Sequence, residues 1–119
     1  MKTFMAVFTG SPAAFDKYQQ QFPDPEKRRA NEKAGMEAWH KWVADHEKSL
    51  VEGGAPLGKT KRVTRDGISD TRNNLAAYVV VRAESQEAAA KMFLGHPHFT
   101  IFPGDGVEVM ECLPIPEKP

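Results

Sequence analysis

Between Gly35 and Gly58 the sequence reads GMEAWHKWVADHEKSLVEGGAPLG, and this stretch restricts the possible folds more than any other. Met36, Trp39, Val43, His46 and Leu50 recur at intervals of three and four, which gathers their side chains on one face of an α-helix. The spacing predicts a helix over 36–52. Gly53 and Gly54 are expected to stop it, because glycine enters the left-handed conformation of helix ends without steric cost. Ala55-Pro56-Leu57-Gly58 then turns the chain into an extended segment. A Trp and a His on the apolar face make this helix both a core element and a candidate ligand surface.

The rest of the chain supplies what that face packs against. Thr3 to Thr9 (TFMAVFT) is aromatic, β-branched and uncharged, as a central strand is. Ser11 can cap a short helix over Pro12–Phe22 with proline in its first turn. Asp24-Pro25 repeats that signal, and the charged run EKRRANEK, read as a solvated face, continues into the 36–52 helix with Gly35 as a weak point. After Gly58, KTKRVT fits an edge strand, and Arg65-Asp66-Gly67 with Ser69-Asp70 fits a turn. Leu75 to Arg82 (LAAYVVVR) reads as a buried strand. Ala83 to Leu94 reads as a helix opened by Ser85, capped by Gly95, with Ala89, Met92 and Phe93 on its apolar side. Pro103-Gly104-Asp105-Gly106 is a turn, and Val107 to Leu113 a last strand. Pro114, Pro116 and Pro119 mark residues 114–119 as a loose tail or edge extension, leaving one domain over 1–113.

The resulting order is β-α-β-β-α-β, the ferredoxin-like α+β plan: an antiparallel four-stranded sheet with helices on one face. Both apolar strands are hydrophobic at nearly every position, so the face away from the helices needs cover. A second copy of the same sheet is the economical cover, and a homodimer is expected.

Composition narrows the function classes. Sixteen Lys and Arg balance sixteen Asp and Glu, which argues against nucleic acid or an anionic membrane as the main partner. Cys112 is the single cysteine, so no intramolecular disulfide forms, and it reads as a small buried hydrophobe. No apolar run approaches the ~20 residues of a membrane helix, and MKTFMAVFTG reads as a strand, not a signal peptide. The expectation is a cytoplasmic soluble domain.

Several of these segments together resemble the YCII-related family, small proteins that form dimeric α+β barrels. The likeness lies in the first strand, the segment LVEGGAPLG, Val63-Thr64-Arg65-Asp66-Gly67, AAYVVVRAESQEAAAKMFLGHPHF, and GVEVMECLPIP. It is closest to a subgroup with a W-x-x-W helix (Trp39, Trp42), a G-A-P-L-G turn and a G-H-P-H motif. Residues 11–33 are a helical insertion relative to the family core. The resemblance implies a His on the first core helix paired with an Asp just before a proline after the second. Here the helix offers Trp39 and His40, and the position before Pro97 holds His96, so the Asp is replaced.

The chemistry-bearing residues cluster accordingly. His96 and His98 flank Pro97 just past a helix C-terminus, whose negative end favours imidazolium and would raise a His pKa. On an exposed loop they would titrate near neutrality and serve as acid and base or bind an anion. The plain structural alternative is a helix cap, with His98 packed beside Phe99. H-x-H spacing suits two metal ligands on one strand, but no third ligand stands nearby, so no metal is expected. Trp39 reads as core; Trp42 sits at the border of the stripe, and His46 on the stripe is more often a satisfied buried His than a catalyst.

Two functional readings follow. In the first, the chain is a small-molecule-binding protein with a cleft between the sheet and the 36–52 helix. Trp39, Trp42 and His46 wall the ligand, and His96 with His98 carry cofactor-free proton transfer, lysis or elimination on a small aromatic or carbonyl compound. In the second, it is a non-catalytic interaction or regulatory module acting through its dimer and 11–33 surfaces. A cofactor-free monooxygenase is a further analogy drawn from fold alone.

Overall fold

A computed structural model describes residues 1–117; Pro119 of the expected tail lies outside the described residues. The main sheet has four antiparallel strands in the order β2-β5-β1-β6: β1 Lys2–Thr9, β2 Leu50–Pro56, β5 Leu75–Ala83 and β6 Gly106–Glu111. This is the ferredoxin-like arrangement, in which the first and third core strands occupy the centre. Phe4, Ala6 and Phe8 of β1 lie opposite Val81, Val79 and Ala77 of β5, so one face of the sheet is continuous hydrocarbon. Trp42, Ala89 and Phe93 close the core from the helical side.

The helices begin where local chemistry prescribes. α1 (Pro12–Gln21) is capped by Ser11, whose side chain accepts from the Ala14 N–H at 3.2 Å. α2 (Pro25–Asp45) starts at Asp24, which accepts from Glu26 N–H at 2.9 Å, and Pro25 fills its first turn. It runs unbroken through Gly35. That glycine is no weak point: a Cβ there would sit 2.6 Å from the Phe102 ring, so its absence lets the 101–102 segment lie against the helix. α3 (Gln86–Lys91) is capped by Ser85 through Ala88 N–H, and α4 is a single turn, Pro97–Thr100.

Further expectations change, besides the helix expected over 83–94, which spans only Gln86–Lys91 because Ala83 still pairs in β5. First, the helix expected over 36–52 does not reach residue 52: α2 ends at Asp45, a 3₁₀ turn covers Glu47–Ser49, and Leu50 opens strand β2. The reason is tertiary, because β2 pairs with the otherwise open edge of β5. Gly53 and Gly54 therefore lie inside a strand and stop no helix. Gly54 takes φ +68° at a bulge, where a Cβ would fall within 1.7 Å of the Tyr78 carbonyl oxygen.

Second, the KTKRVT segment is not the edge of the main sheet. It forms β3 (Thr60–Thr64), which pairs only with β4 (Gly67–Thr71) across the Arg65-Asp66 turn. Ser69 and Asp70 thus belong to a strand, not to a turn. Third, Trp42 is the fully core indole and Trp39 is half-buried, the reverse of the stripe's order. Fourth, Cys112 is exposed.

The sheet face away from the helices is open. Met5, Val7, Val80 and Met110 lie along it, together with a hydrogen bond of 2.7 Å from the Tyr78 hydroxyl to Glu52. That bond and the Glu52 charge raise the Tyr78 pKa.

Gly54→Ala should destabilise the fold by about 2 kcal/mol or more, since it combines a left-handed backbone with a clash against Tyr78. Gly53→Ala, where a Cβ meets nothing within 4 Å, should stay within about 0.5 kcal/mol. Urea unfolding of both variants checks the contrast; equal stabilities would refute the bulge.

Candidate functional site

Between α2 and the β2–β5 pair lies a cavity of about 460 Å³, a size that suits a small organic ligand. Phe8, Trp39, Trp42, Leu50 and Phe102 form apolar walls, the bulge at Gly53–Pro56 forms one lip, and His40 and His98 are its imidazoles. The bulge matters to the site, because it carries the β2 backbone away from regular pairing at that lip.

His98 is held from three sides. It sits in the α4 turn, 8% exposed, and its Nε2 lies 2.7 Å from the carbonyl oxygen of Thr9 at the end of β1. A carbonyl only accepts, so Nε2 carries the hydrogen, and in the neutral ring the free lone pair is on Nδ1. The same Thr9 oxygen accepts from Asp105 N–H at 2.8 Å, and the His98 carbonyl accepts from Gly104 N–H at 2.9 Å. Gly104 must be glycine: a Cβ would stand 2.3 Å from His98 Nε2.

His96 lies behind the cavity wall. It is not on an exposed loop, as the sequence suggested, but is 1% exposed among the rings of Phe8, Trp39, Trp42 and Phe93. Pro97 holds it extended at φ −60°, ψ 141°, where it caps α4. Its Nδ1 accepts from His98 N–H at 3.0 Å, and its Nε2 is enclosed without a hydrogen-bond partner. Its pKa is lowered to about 4, not raised: burial disfavours the charged ring first, then His98 and His46 oppose a second positive charge. Protonating Nδ1 would also break the cap.

The remaining candidates divide. Trp42 donates its indole N–H to the Met92 carbonyl at 2.8 Å and stacks on His46 at 4.5 Å, 29° between planes. His46 bonds through Nδ1 to the Trp42 carbonyl at 2.8 Å and stands on the far side of that indole, outside the cavity lining. Of the five residues singled out from the sequence, Trp39, Trp42 and His98 meet at the cavity, and His96 and His46 flank Trp42. Phe8, Leu50 and Phe102 were not foreseen as lining. Among the described residues no group of three or more His, Cys, Asp or Glu could hold a metal ion, and no helix is long and apolar enough to cross a membrane.

An antiparallel ferredoxin-like sheet with an aromatic, imidazole-bearing cleft under its helices defines the class of structure. Family models and curated proteins gave no match to the sequence. Among solved structures the chain is similar to 5-chloro-2-hydroxyhydroquinone dehydrochlorinase (TftG) from Burkholderia phenoliruptrix AC1100, in complex with 2,5-dihydroxybenzoquinone. The TM-score is 0.51 at 13% identity, over 91% of this chain and 90% of that one. The likeness is one of fold, and it supports the α+β architecture expected from the sequence.

His96 gives stability a defined acid limb. Its folded pKa lies below the ordinary 6.5, so the unfolded chain binds the extra proton. Between pH about 6.5 and about 4 the folded state should lose about 1.4 kcal/mol per pH unit from this group. His96→Asn retains a capping acceptor but does not titrate, so denaturant titrations across that range should show a flatter slope; an unchanged slope refutes the assignment.

Proposed function

We propose that the chain is a small-molecule-binding protein of the YCII-like type that carries out cofactor-free proton transfer or elimination on a small aromatic or carbonyl compound. The observation that carries this reading is the cavity beside a histidine of fixed tautomer. With Nε2–H committed to Thr9, Nδ1 of His98 is the basic atom available to a ligand, and the ring pays little entropy to hold it there.

A planar ligand in the cavity beside Trp39 and Phe102 would present a hydroxyl or an activated C–H to Nδ1. Removing that proton leaves an electron pair on the substrate, which can expel a leaving group from an adjacent carbon. The proton passes from Nδ1 to water, and nothing is oxidised or reduced. Trp39 and Trp42 bind the ring; His96 orients His98 by fixing its backbone N–H. His46 supports Trp42 from behind. The dehydrochlorinase name and the quinone of the solved neighbour support this class of substrate, though the two chains share only a fold.

A homodimer belongs to the same reading. The open sheet face with Met5, Val7, Val80 and Met110 is the surface a second copy would cover.

Titrating 2,5-dihydroxybenzoquinone while following Trp39 and Trp42 fluorescence should give saturable quenching in the millimolar range or tighter. With chlorinated hydroquinones, chloride release should fall by about 100-fold or more in kcat for His98→Gln, with quenching retained. Absent quenching, or turnover equal to the native chain in the variant, contradicts the proposal.

A further inference from the structure

The hairpin β3–β4 stands apart from the body that holds the cavity. Its strands pair only with each other and pack extensively on no helix or other strand. Only its base, around Thr60, Lys61 and Thr71, shares a groove with Pro12 and Phe15 at the start of α1. The described chain is elongated, 59 Å in its longest dimension, with a radius of gyration of 16.7 Å. A compact chain of this length would have about 13–14 Å.

Such a hairpin is marginal in water by itself, and this one is built to be covered. Val63 and Ile68 face each other across its strands near the tip, and each is 73% exposed. Beside them the segment 59–72 carries Lys59, Lys61, Arg62, Arg65 and Arg72 against Asp66 and Asp70 only. The arm therefore has a net charge of +3 in a chain whose total is zero, and the rest of the chain has −3. A second copy offers the hairpin a body of opposite charge.

We propose that residues 59–72 form an arm that clasps a second copy of this chain. Val63 and Ile68 supply the apolar contact and Arg62 and Arg65 the attraction to the partner's acidic body, Lys61 being paired with Asp70 inside the hairpin. The inference rests on the homodimer reading above and adds a second contact to it, separate from the open sheet face. It also has a consequence for the cavity. The arm springs from the end of β2 at Pro56 and returns to the start of β5 at Leu75, the strands whose bulge forms the cavity lip. Seating the arm tethers that lip.

Sedimentation velocity on the full chain tests this with three variants: Val63→Asp/Ile68→Asp, Arg62→Glu/Arg65→Glu, and Met5→Glu on the sheet face. Far-ultraviolet circular dichroism checks that each retains its fold. The native chain should dimerise, and each arm variant should weaken the dimer at least tenfold. Raising salt from 0.05 to 0.5 M should weaken the native dimer but leave the charge-reversed variant nearly unaffected, in keeping with charge screening over about 10 Å at 0.1 M. A dimer lost with Met5→Glu but of native strength in both arm variants overturns the arm and leaves the homodimer standing. A monomeric native chain overturns both. Arm-dependent binding of a 20-nucleotide DNA, with association unchanged by the arm variants, also overturns the arm and makes the hairpin a nucleic-acid contact.

Discussion

The carbonyl oxygen of Thr9 accepts two hydrogen bonds, one from His98 Nε2–H and one from Asp105 N–H, and the arrangement of the site depends on it. Through the first, the end of the central strand fixes the tautomer and direction of the one buried imidazole that lines the cavity. Through the second, it anchors the turn that delivers Gly104, which has no side chain to push His98 aside. Net gains from single hydrogen bonds are only about 1 kcal/mol. Their importance here is geometric, because they join β1, α4 and the 103–106 turn at one atom.

Around that atom the aromatic rings do a second job. Phe8, Trp39, Trp42 and Phe93 enclose His96 so fully that charging it is opposed by burial and by His98 and His46. A neutral His96 keeps Nδ1 free to accept from the His98 backbone, which holds α4 in register. The two histidines of the G-H-P-H motif thus have different tasks. His96 is a structural acceptor whose protonation would cost stability, and His98 is the ring that lines the cavity. A pair of adjacent imidazoles both exposed and both charged near neutrality would repel one another; this fold avoids that by burying the first.

Much of the architecture is legible in the residues themselves. The apolar runs at 3–9 and 75–82 are strands because β-branched and aromatic residues leave few alternatives, and the last strand, expected over 107–113, is Gly106–Glu111. Ser11, Asp24-Pro25 and Ser85 opened helices where their side chains could accept free N–H groups. The 46–52 segment departs from the helix its spacing predicts because Leu50 continues that spacing by coincidence. Its true partner, the open edge of β5, is more than twenty residues away in sequence. The order of Trp39 and Trp42 reversed for a related reason: the indole N–H of Trp42 reaches the carbonyl of Met92 at the end of α3, a partner that periodicity does not reveal. Burial of His96 likewise comes from rings contributed by three separate elements. A local rule about helix ends therefore gave the wrong direction for its pKa.

The central claim is that the two histidines are split by their hydrogen bonds into a neutral cap and a directed base. Long-range proton–nitrogen correlation of the imidazoles, recorded from pH 7 to pH 5 with and without a quinone ligand, tests it most directly. The account predicts that His96 stays neutral to pH 5 with hydrogen on Nε2, and that His98 also carries its hydrogen on Nε2 while its Nδ1 resonance alone moves on ligand addition. A His96 ring charged at pH 5.5, or a neutral His98 ring with its hydrogen on Nδ1, would contradict it.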